Sequence, residues 1–455
     1  MPLVPATRKP VEVEATGLDD AGHGVGLVGG RTVHVADLCP GERAEIALVH
    51  ASPHQPADWG RIVRRLGELS GDRTTPACPA FGRCGGCVWQ HVRYPAQLLH
   101  KRARVIRALD GAMANLATAD RTAVAPVVPS ATELGYRHKG KYVAGWLGGR
   151  LVLGAWGPRS HALIDTAGCR VVAPLVDDLR ERARAAAEAA GLPPWDERRR
   201  TGALRYVIVR ASRAGRGLVV LVVRSDTPAA AVLAVAQLIA RDPRVAGVVR
   251  VDNDRDDGAL LDEPAQIVVG DGSVRDLIAG VEVELGAGAF AQINPTQADA
   301  MYARVAALAG LGASDRAADV YAGLGGISFA LAHAGARVVA IERDASAVTA
   351  LAAAANRAGL GARVEARVGD ATTLRDAGEV AVVVVNPPRK GLAPDVIAAV
   401  LGGEARRVIY VSCGPESLGR DLALLINGGY TVDAIEPFDL MPGTSQVETV
   451  VRLQR

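Results

Sequence analysis

The chain has 455 residues, 49% hydrophobic, 22% charged and only 4% aromatic, and 52 Lys+Arg against 49 Asp+Glu leave a net charge of +3. This composition excludes a disordered chain, a collagen-like repeat and a small disulfide scaffold, and the length suggests two to four domains with ordinary cores. Six cysteines are few for this length, and three lie within ten residues of one another, which favours metal or cluster ligation over disulfides. From Met1 to Pro10 there is no apolar run, and no stretch approaches the roughly 18 uninterrupted apolar residues of a membrane span. A cytoplasmic, monomeric protein with no membrane association is expected.

In chain order, residues 11–66 read as short strands broken by glycine (VEVEATGL, GHGVGLVGGRTVHVADL, ERAEIALVH, DWGRIVRRL). Regular short strands with Gly turns predict a small β-barrel. The segment TTPACPAFGRCGGCVWQH, residues 74–91, is too rich in turn formers and cysteine for a regular element and reads as a ligand loop. A helical period follows over Pro95–Leu109, and its window carries Arg93, Lys101, Arg102, Arg104 and Arg107. Those cations suit either a solvated face or one that meets phosphates. The strands YRHKGKYVAGW, GRLVLGAW, LRYVIVRAS and RGLVVLVVR, interrupted by an Ala/Arg-rich helix over Asp177–Ala190, predict a mixed middle domain.

Beyond about Gly280 the rhythm becomes strand, helix, strand: AADVYAG, ISFALAHAG, RVVAIE, RVEARVGD, VAVVVVNPP, RVIYVSC. Alternating buried strands and helices predict a doubly wound parallel sheet with its ligand site at the carboxyl ends of the strands. Asp319-Val-Tyr321-Ala-Gly323-Leu-Gly325-Gly326 joins a strand to a helix, and Glu342 closes the next strand. Glycines there let the backbone approach a nucleotide, and the acid suits ribose hydroxyls. A dinucleotide enzyme is the rival, but Ser328 stands where the last Gly of that fingerprint belongs, and Gly369-Asp370 ends the third strand in a place suited to an adenine amino group. Asn386-Pro387-Pro388-Arg389 stops the apolar strand VAVVVV at the same edge.

Ser412-Cys413-Gly414-Pro415 closes another apolar strand, and its position favours a nucleophile over a buried small hydrophobe. Methylation at C5 of a pyrimidine needs such a thiolate, because C5 becomes nucleophilic only after addition at C6. A base must then remove the C5 proton, and Glu448 is a carboxylate in an otherwise apolar strand, where a charge is costly without a task. Cys78, Cys84, Cys87 and the distant Cys169 form a fourth set; their spacing leaves zinc and an iron–sulfur cluster both open. Cys39 fits neither set and is read as a core residue.

Taken together, these motifs resemble the RNA uracil-C5 methyltransferases, which make 5-methyluridine in 23S ribosomal RNA and in transfer RNA, and the likeness spans nearly the whole chain. It implies three domains: a TRAM-like OB β-barrel that binds RNA (residues 1–68), a mixed α+β domain with an iron–sulfur loop (69–280), and a Rossmann-like, class I methyltransferase domain (281–455). It implies S-adenosylmethionine and a [4Fe–4S] cluster as cofactors, with Cys78, Cys84, Cys87 and Cys169 as cluster ligands. Phe290-Ala-Gln292-Ile-Asn294 matches the family's F-x-Q-x-N motif. Gln292, Tyr321, Gly323, Gly325, Glu342, Asp370 and Asn386 fall at cofactor and base positions, Cys413 at the nucleophile and Glu448 at the general base. The cysteine loop tilts the substrate toward ribosomal RNA over transfer RNA.

Two residues depart from the family pattern: Asn386 replaces the usual Asp, and Gln446 replaces the usual His. An amide can serve both the N3–H and the O4 of uracil, so Asn386 is compatible with that base. An amino-group methyltransferase is disfavoured because Arg389 stands where its N-P-P motif needs an aromatic residue. An RNA-binding protein with a disabled methyltransferase domain is disfavoured because nucleophile, base and glycines all persist. Charge divides along the chain: 15 basic against 19 acidic residues from 281 onward leave 37 against 30 for residues 1–280. The surplus that would grip phosphates thus lies in the first two domains.

Overall fold

The computed structural model describes residues 9–52, 56–113, 122–158, 160–255, 260–261 and 263–455. Most of the Met1–Pro10 stretch lies outside them. None of the described helices is long and apolar enough to cross a membrane.

The first unit holds β1 (Val11–Glu14), β2 (Gly17–Leu18), β3 (His23–Val28), β4 (Arg31–Ala36), β5 (Arg43–Ala51) and β6 (Ala57–Leu66). Strict alternation along β4 sends Val33 and Val35 inward, where they meet Val13, Ala44 and Ile46. The hydrogen-bonded order is β1-β5-β6-β4-β3-β2. Only Ala15 and Thr16 separate β1 from β2; β1 pairs with β5 and β2 with β3, and the Ala15 and Thr16 amides donate to the Glu42 and Val25 carbonyls, so the sheet curls round on itself over a small core. Cys39 is fully buried at its base, and burial pushes its thiol up to about 11, in keeping with a core residue.

Helix α1 (Tyr94–Asp110) starts on Pro95 and buries Ala96, Gln97, Lys101, Val105 and Leu109, one stripe at helical spacing. Its basic residues are mostly spent inside the protein. Lys101, with no exposed surface, donates to Asp439 Oδ1 at 2.6 Å and to the Met441 carbonyl at 3.0 Å. Arg102 donates twice to the Val124 carbonyl, and Arg104 donates to the Ser445 carbonyl and pairs with Glu416. For these three cations the phosphate-facing reading is thereby corrected: they bind α1 to other parts of the chain.

The middle sheet comprises β7 (Lys139–Leu147), β8 (Arg150–Trp156), β9 (Leu163–Asp165), β10 (Leu204–Ala211), β11 (Gly217–Val223), β12 (Val245–Asp252) and β13 (Gln266–Gly270). Helices α2 (Pro174–Ala189) and α3 (Ala229–Ile239) cover one face, meeting Val207, Val209, Val219 and Leu221. The alternate residues Ile208, Leu218, Val220 and Val222 point the other way. They join the hairpin β14 (Ser273–Ile278) and β15 (Val281–Gly286), and helix α4 (Pro295–Ala309), in a core continuous with the last domain. Residues 279 and 280 are the turn of that hairpin.

The last unit runs β16 (Arg316–Val320), α5 (Gly326–His333), β17 (Arg337–Glu342), α6 (Ala345–Arg357), β18 (Val364–Val368), β19 (Val382–Val385), α7 (Pro394–Gly402), β20 (Arg407–Ser412), α8 (Pro415–Asn427), β21 (Thr431–Phe438) and β22 (Glu448–Gln454). Its order is β18-β17-β16-β19-β20-β22-β21, parallel up to β20, with β22 inserted antiparallel. This is the doubly wound sheet expected, with the strand order reversing between β16 and β19.

Replacing Lys101 by Met would strand the buried Asp439 carboxylate. K101M is expected to lose about 3–5 kcal/mol in urea unfolding; a loss below about 1 kcal/mol would show that the pair is solvated.

Candidate active site

The ligand edge is assembled from strand ends. After β16 the chain turns at Tyr321, a non-glycine residue at φ 67°, and then at Gly323 (φ 54°) and Gly325 (φ 91°). Such a cluster of left-handed conformations is costly and characteristic of a binding loop. A Cβ on Gly325 would press on Leu351 and Phe329, so that position requires glycine. Glu342, at the end of β17, accepts the Gly323 amide at 3.0 Å and the Asp344 amide at 3.0 Å. Asp370, after β18, caps the following turn: Oδ1 accepts the amide and the hydroxyl of Thr372, which hold its carboxyl below the usual range. Asn386 follows β19, its amide bonded to the Val320 carbonyl at 3.2 Å. Tyr321, Gly323, Gly325, Glu342, Asp370 and Asn386 thus share the carboxyl edge around the reversal of strand order.

Asp319 lies inside β16 and has no role legible from the sequence. It is fully buried; Ser328 Oγ donates to its Oδ2 at 2.6 Å while Oδ1 has no partner. Burial, only partly offset by Ser328, raises its carboxyl to about 7. Ser328 therefore ties α5 to β16, which explains why this position is not the glycine of a dinucleotide fingerprint.

Gln292 lies on the loop before α4, in a crevice with His138, Lys139, Arg210 and Tyr302. The Tyr302 ring packs directly on Gly326, so this crevice adjoins the glycine loop. Asn294 of the same motif is structural: it caps α4 by accepting the Gln297 amide at 3.3 Å and donates to Ser130 Oγ at 3.0 Å and to the Leu440 carbonyl at 3.3 Å.

The β20–β22 register pairs Ser412 with Thr449. Cys413 is the residue after this last pair on one strand and Glu448 the residue before it on the other, and the Glu448 charge acts on the Cys413 thiol. Glu448 is 6% exposed, and its Oε2 has no partner. Burial raises its carboxyl to about 7, with Arg389 pulling the other way. Burial also pushes the Cys413 thiol up, the Glu448 charge pushes it further, and Arg389 draws it back. Arg389 is held by the residue that replaces the usual His: its Nη2 donates to Gln446 Oε1 at 2.9 Å. This contact joins residues 57 apart in the sequence, and no local pattern announces it.

The cysteine loop backs onto the same edge. Cys87 lies against Gly443, and the Trp89 amide donates to the Gly443 carbonyl at 2.8 Å. Burial raises both the Cys84 and Cys87 thiols, Cys87 to about 12, with Cys169 and Cys78 adding to the effect at Cys84 and Cys169 and Cys84 at Cys87. The loop and the turn before α2 therefore bring Cys84, Cys87 and Cys169 to one place, with Cys78 within electrostatic reach of Cys84.

Comparison with known proteins places the chain in a family. The family model for tRNA (uracil-5-)-methyltransferase matches residues 281–455. An uncharacterised RNA methyltransferase of Halalkalibacterium halodurans is 30% identical over 450 residues, 98% of this chain and 96% of that protein. Another, from Gloeobacter violaceus, is 32% identical over 458 residues, with 98% and 96% covered. The chain belongs to the RNA uracil-C5 methyltransferase family. Its fold as a whole is that of Pyrococcus abyssi tRNA (uracil-54, C5)-methyltransferase, solved with S-adenosyl-L-homocysteine: TM-score 0.76 at 21% identity, covering 97% of this chain and 100% of that one.

A family member with Glu448 buried carries a stability penalty that follows pH. The folded state holds the Glu448 carboxyl near 7 against an unfolded value of 4.5, so the penalty is absent below pH 4.5 and complete above pH 7. E448Q is expected to raise stability by on the order of 3 kcal/mol at pH 8.5 and by nothing near pH 4. Equal unfolding midpoints for the two proteins at both pH values would show that the carboxylate is solvated.

Proposed function

We propose that this RNA methyltransferase transfers the methyl group of S-adenosylmethionine to C5 of a uridine, most readily one in 23S ribosomal RNA. The observation that carries the reading is the end of the β20–β22 ladder, where the last pair, Ser412 with Thr449, is followed by Cys413 on one strand and preceded by the buried Glu448 on the other. Cys413 adds to C6, C5 attacks the methyl group, Glu448 removes the C5 proton, and elimination returns the thiolate. A base near pKa 7 is suited to that proton at neutral pH. The target base must leave its stack to meet thiol and methyl donor together.

The cofactor falls to the strand ends: Glu342 at ribose hydroxyls, Asp370 at the adenine amino group, Tyr321, Gly323 and Gly325 along the methionyl part. Asn386 is placed to read the uracil edge, and Gln292 lies beside the glycine loop. S-adenosylmethionine supplies the electrophilic methyl when bound. Residues 1–68 act as a TRAM-like RNA-binding module, residues 69–280 carry the cysteine loop, and residues 281–455 carry the chemistry.

We assign Cys78, Cys84, Cys87 and Cys169 to a [4Fe–4S] cluster. The choice of a cluster over zinc rests on the likeness of the loop FGRCGGCVWQH to the family's iron–sulfur loop. The place of this loop against Gly443 makes it a support for the segment that carries Gln446 and Glu448. The family model's name favours a second reading, a uridine of transfer RNA.

Incubation with 5-fluorouridine RNA and S-adenosylmethionine tests the chemistry, because fluorine cannot leave C5 as a proton. A covalent adduct is expected, absent in C413A, which should retain RNA binding; intact binding without adduct in the native protein would refute the mechanism. With ordinary RNA, E448Q should accumulate adduct and lose about 10²–10⁴ in turnover; free product release at the native rate would remove Glu448 as the base. C84S is expected to lose brown colour and iron, and unchanged iron content would refute the cluster ligation.

A further inference from the structure

Among the described residues, one set of three metal-binding side chains brings its ligand atoms within 4.8 Å of one another: Asp19, His23 and His34. Backbone pairing builds it. In the β3–β4 ladder His34 faces Val25 and His23 faces Ala36, so the two imidazoles are diagonal neighbours on one face. Asp19 begins the turn into β3. Its Oδ1 accepts the amides of Ala21 and His23 at 2.9 and 2.8 Å. Its Oδ2 is left over the rings, 2.9 Å from Nδ1 of His23 and 2.8 Å from Nδ1 of His34. The three side chains are only 19–21% exposed, and the His34 ring is stacked on Trp59 with centroids 5.2 Å apart.

We propose that Asp19 Oδ2, His23 Nδ1 and His34 Nδ1 bind one divalent transition-metal ion, Zn²⁺ by ligand type. Imidazole and carboxylate ligands sit about 2.0–2.2 Å from zinc, so tetrahedral ligand atoms on that radius are about 3.3–3.6 Å apart, a little wider than the two N···O pairs. Two rings aimed at one carboxylate oxygen form an arrangement that an ion can enter with little movement. Each neutral imidazole then carries its proton on Nε2 and offers the Nδ1 lone pair, so no proton is lost overall. Water completes the coordination, since three protein ligands leave a position open.

The site sits where the first sheet meets the rest of the protein. The Asp19 carbonyl accepts Trp89 Nε1–H at 3.0 Å, and the Asp20 carbonyl accepts the Ser445 hydroxyl at 3.2 Å. Arg104 pairs with the Asp20 carboxylate at 3.0 Å. Gly22 lies so close to the Val88 carbonyl that no Cβ fits there. An ion fastening this turn to β4 would stiffen the seat of the cysteine loop and of the segment leading to Glu448, without taking part in the chemistry.

The test uses the full-length protein with its iron retained, freed of loose metal by a weak chelator and titrated with Co²⁺ as a spectroscopic substitute for Zn²⁺. One equivalent is expected to bind, giving ligand-field bands without the sulfur-to-cobalt charge-transfer band of cysteine ligation, and Zn²⁺ should displace it. H34F keeps a ring against Trp59 and D19N keeps an oxygen for the turn, so both should remain folded by circular dichroism yet bind at least about tenfold more weakly. The proposal is overturned if the native protein takes up no Co²⁺, if H34F and D19N bind as tightly as it does, or if the bound ion shows the thiolate band.

Discussion

The antiparallel insertion of β22 beside β20 is the constraint on which the rest of this structure depends. Every other strand of the methyltransferase sheet up to β20 is parallel and ends at the ligand edge. Only a strand that starts where β20 stops can present its first side chain beside the last residues of β20. Glu448 is that first residue, so the carboxylate enters the sheet at the point where Cys413 leaves it. The end of the ladder brings thiol and carboxyl to neighbouring positions, and burial pushes both away from their charged forms. Arg389, steadied by Gln446, is the cation that moderates this effect.

The parts outside that sheet converge on the chain that leads into β22. Lys101 of α1 holds Asp439 and the Met441 carbonyl, the cysteine loop bonds to Gly443, and the first sheet reaches Ser445 through Asp20. Residues 124 and 128 bridge to β21 at Ile435 and Phe438. Three separate stretches of sequence thus brace one short segment. The segment that carries Gln446 and Glu448 is held by distant parts of the chain, the cysteine loop among them.

Much of the site was legible because strand ends are legible. An apolar run followed by Cys-Gly-Pro or Asn-Pro-Pro announces both a buried strand and the residue at its carboxyl end, and the helix-strand rhythm gives the sheet. The partners of charges were not legible. Counting cations on α1 could not reveal that Lys101 is internal, since its partner lies 338 residues away. Short strands with Gly turns announce the small first sheet, but not that one stretch, residues 11–18, pairs with β5 at one end and with β3 at the other. The likeness of Asp19, His23 and His34 to a ligand set likewise requires the β3–β4 register, which no local pattern supplies.

The central claim is that methyl transfer occurs at C5 with loss of the proton there. RNA carrying tritium at C5 of its uridines measures this directly. The account predicts one tritium released to water for each methyl group transferred, and none from C413A. Methyl transfer without tritium release would contradict it.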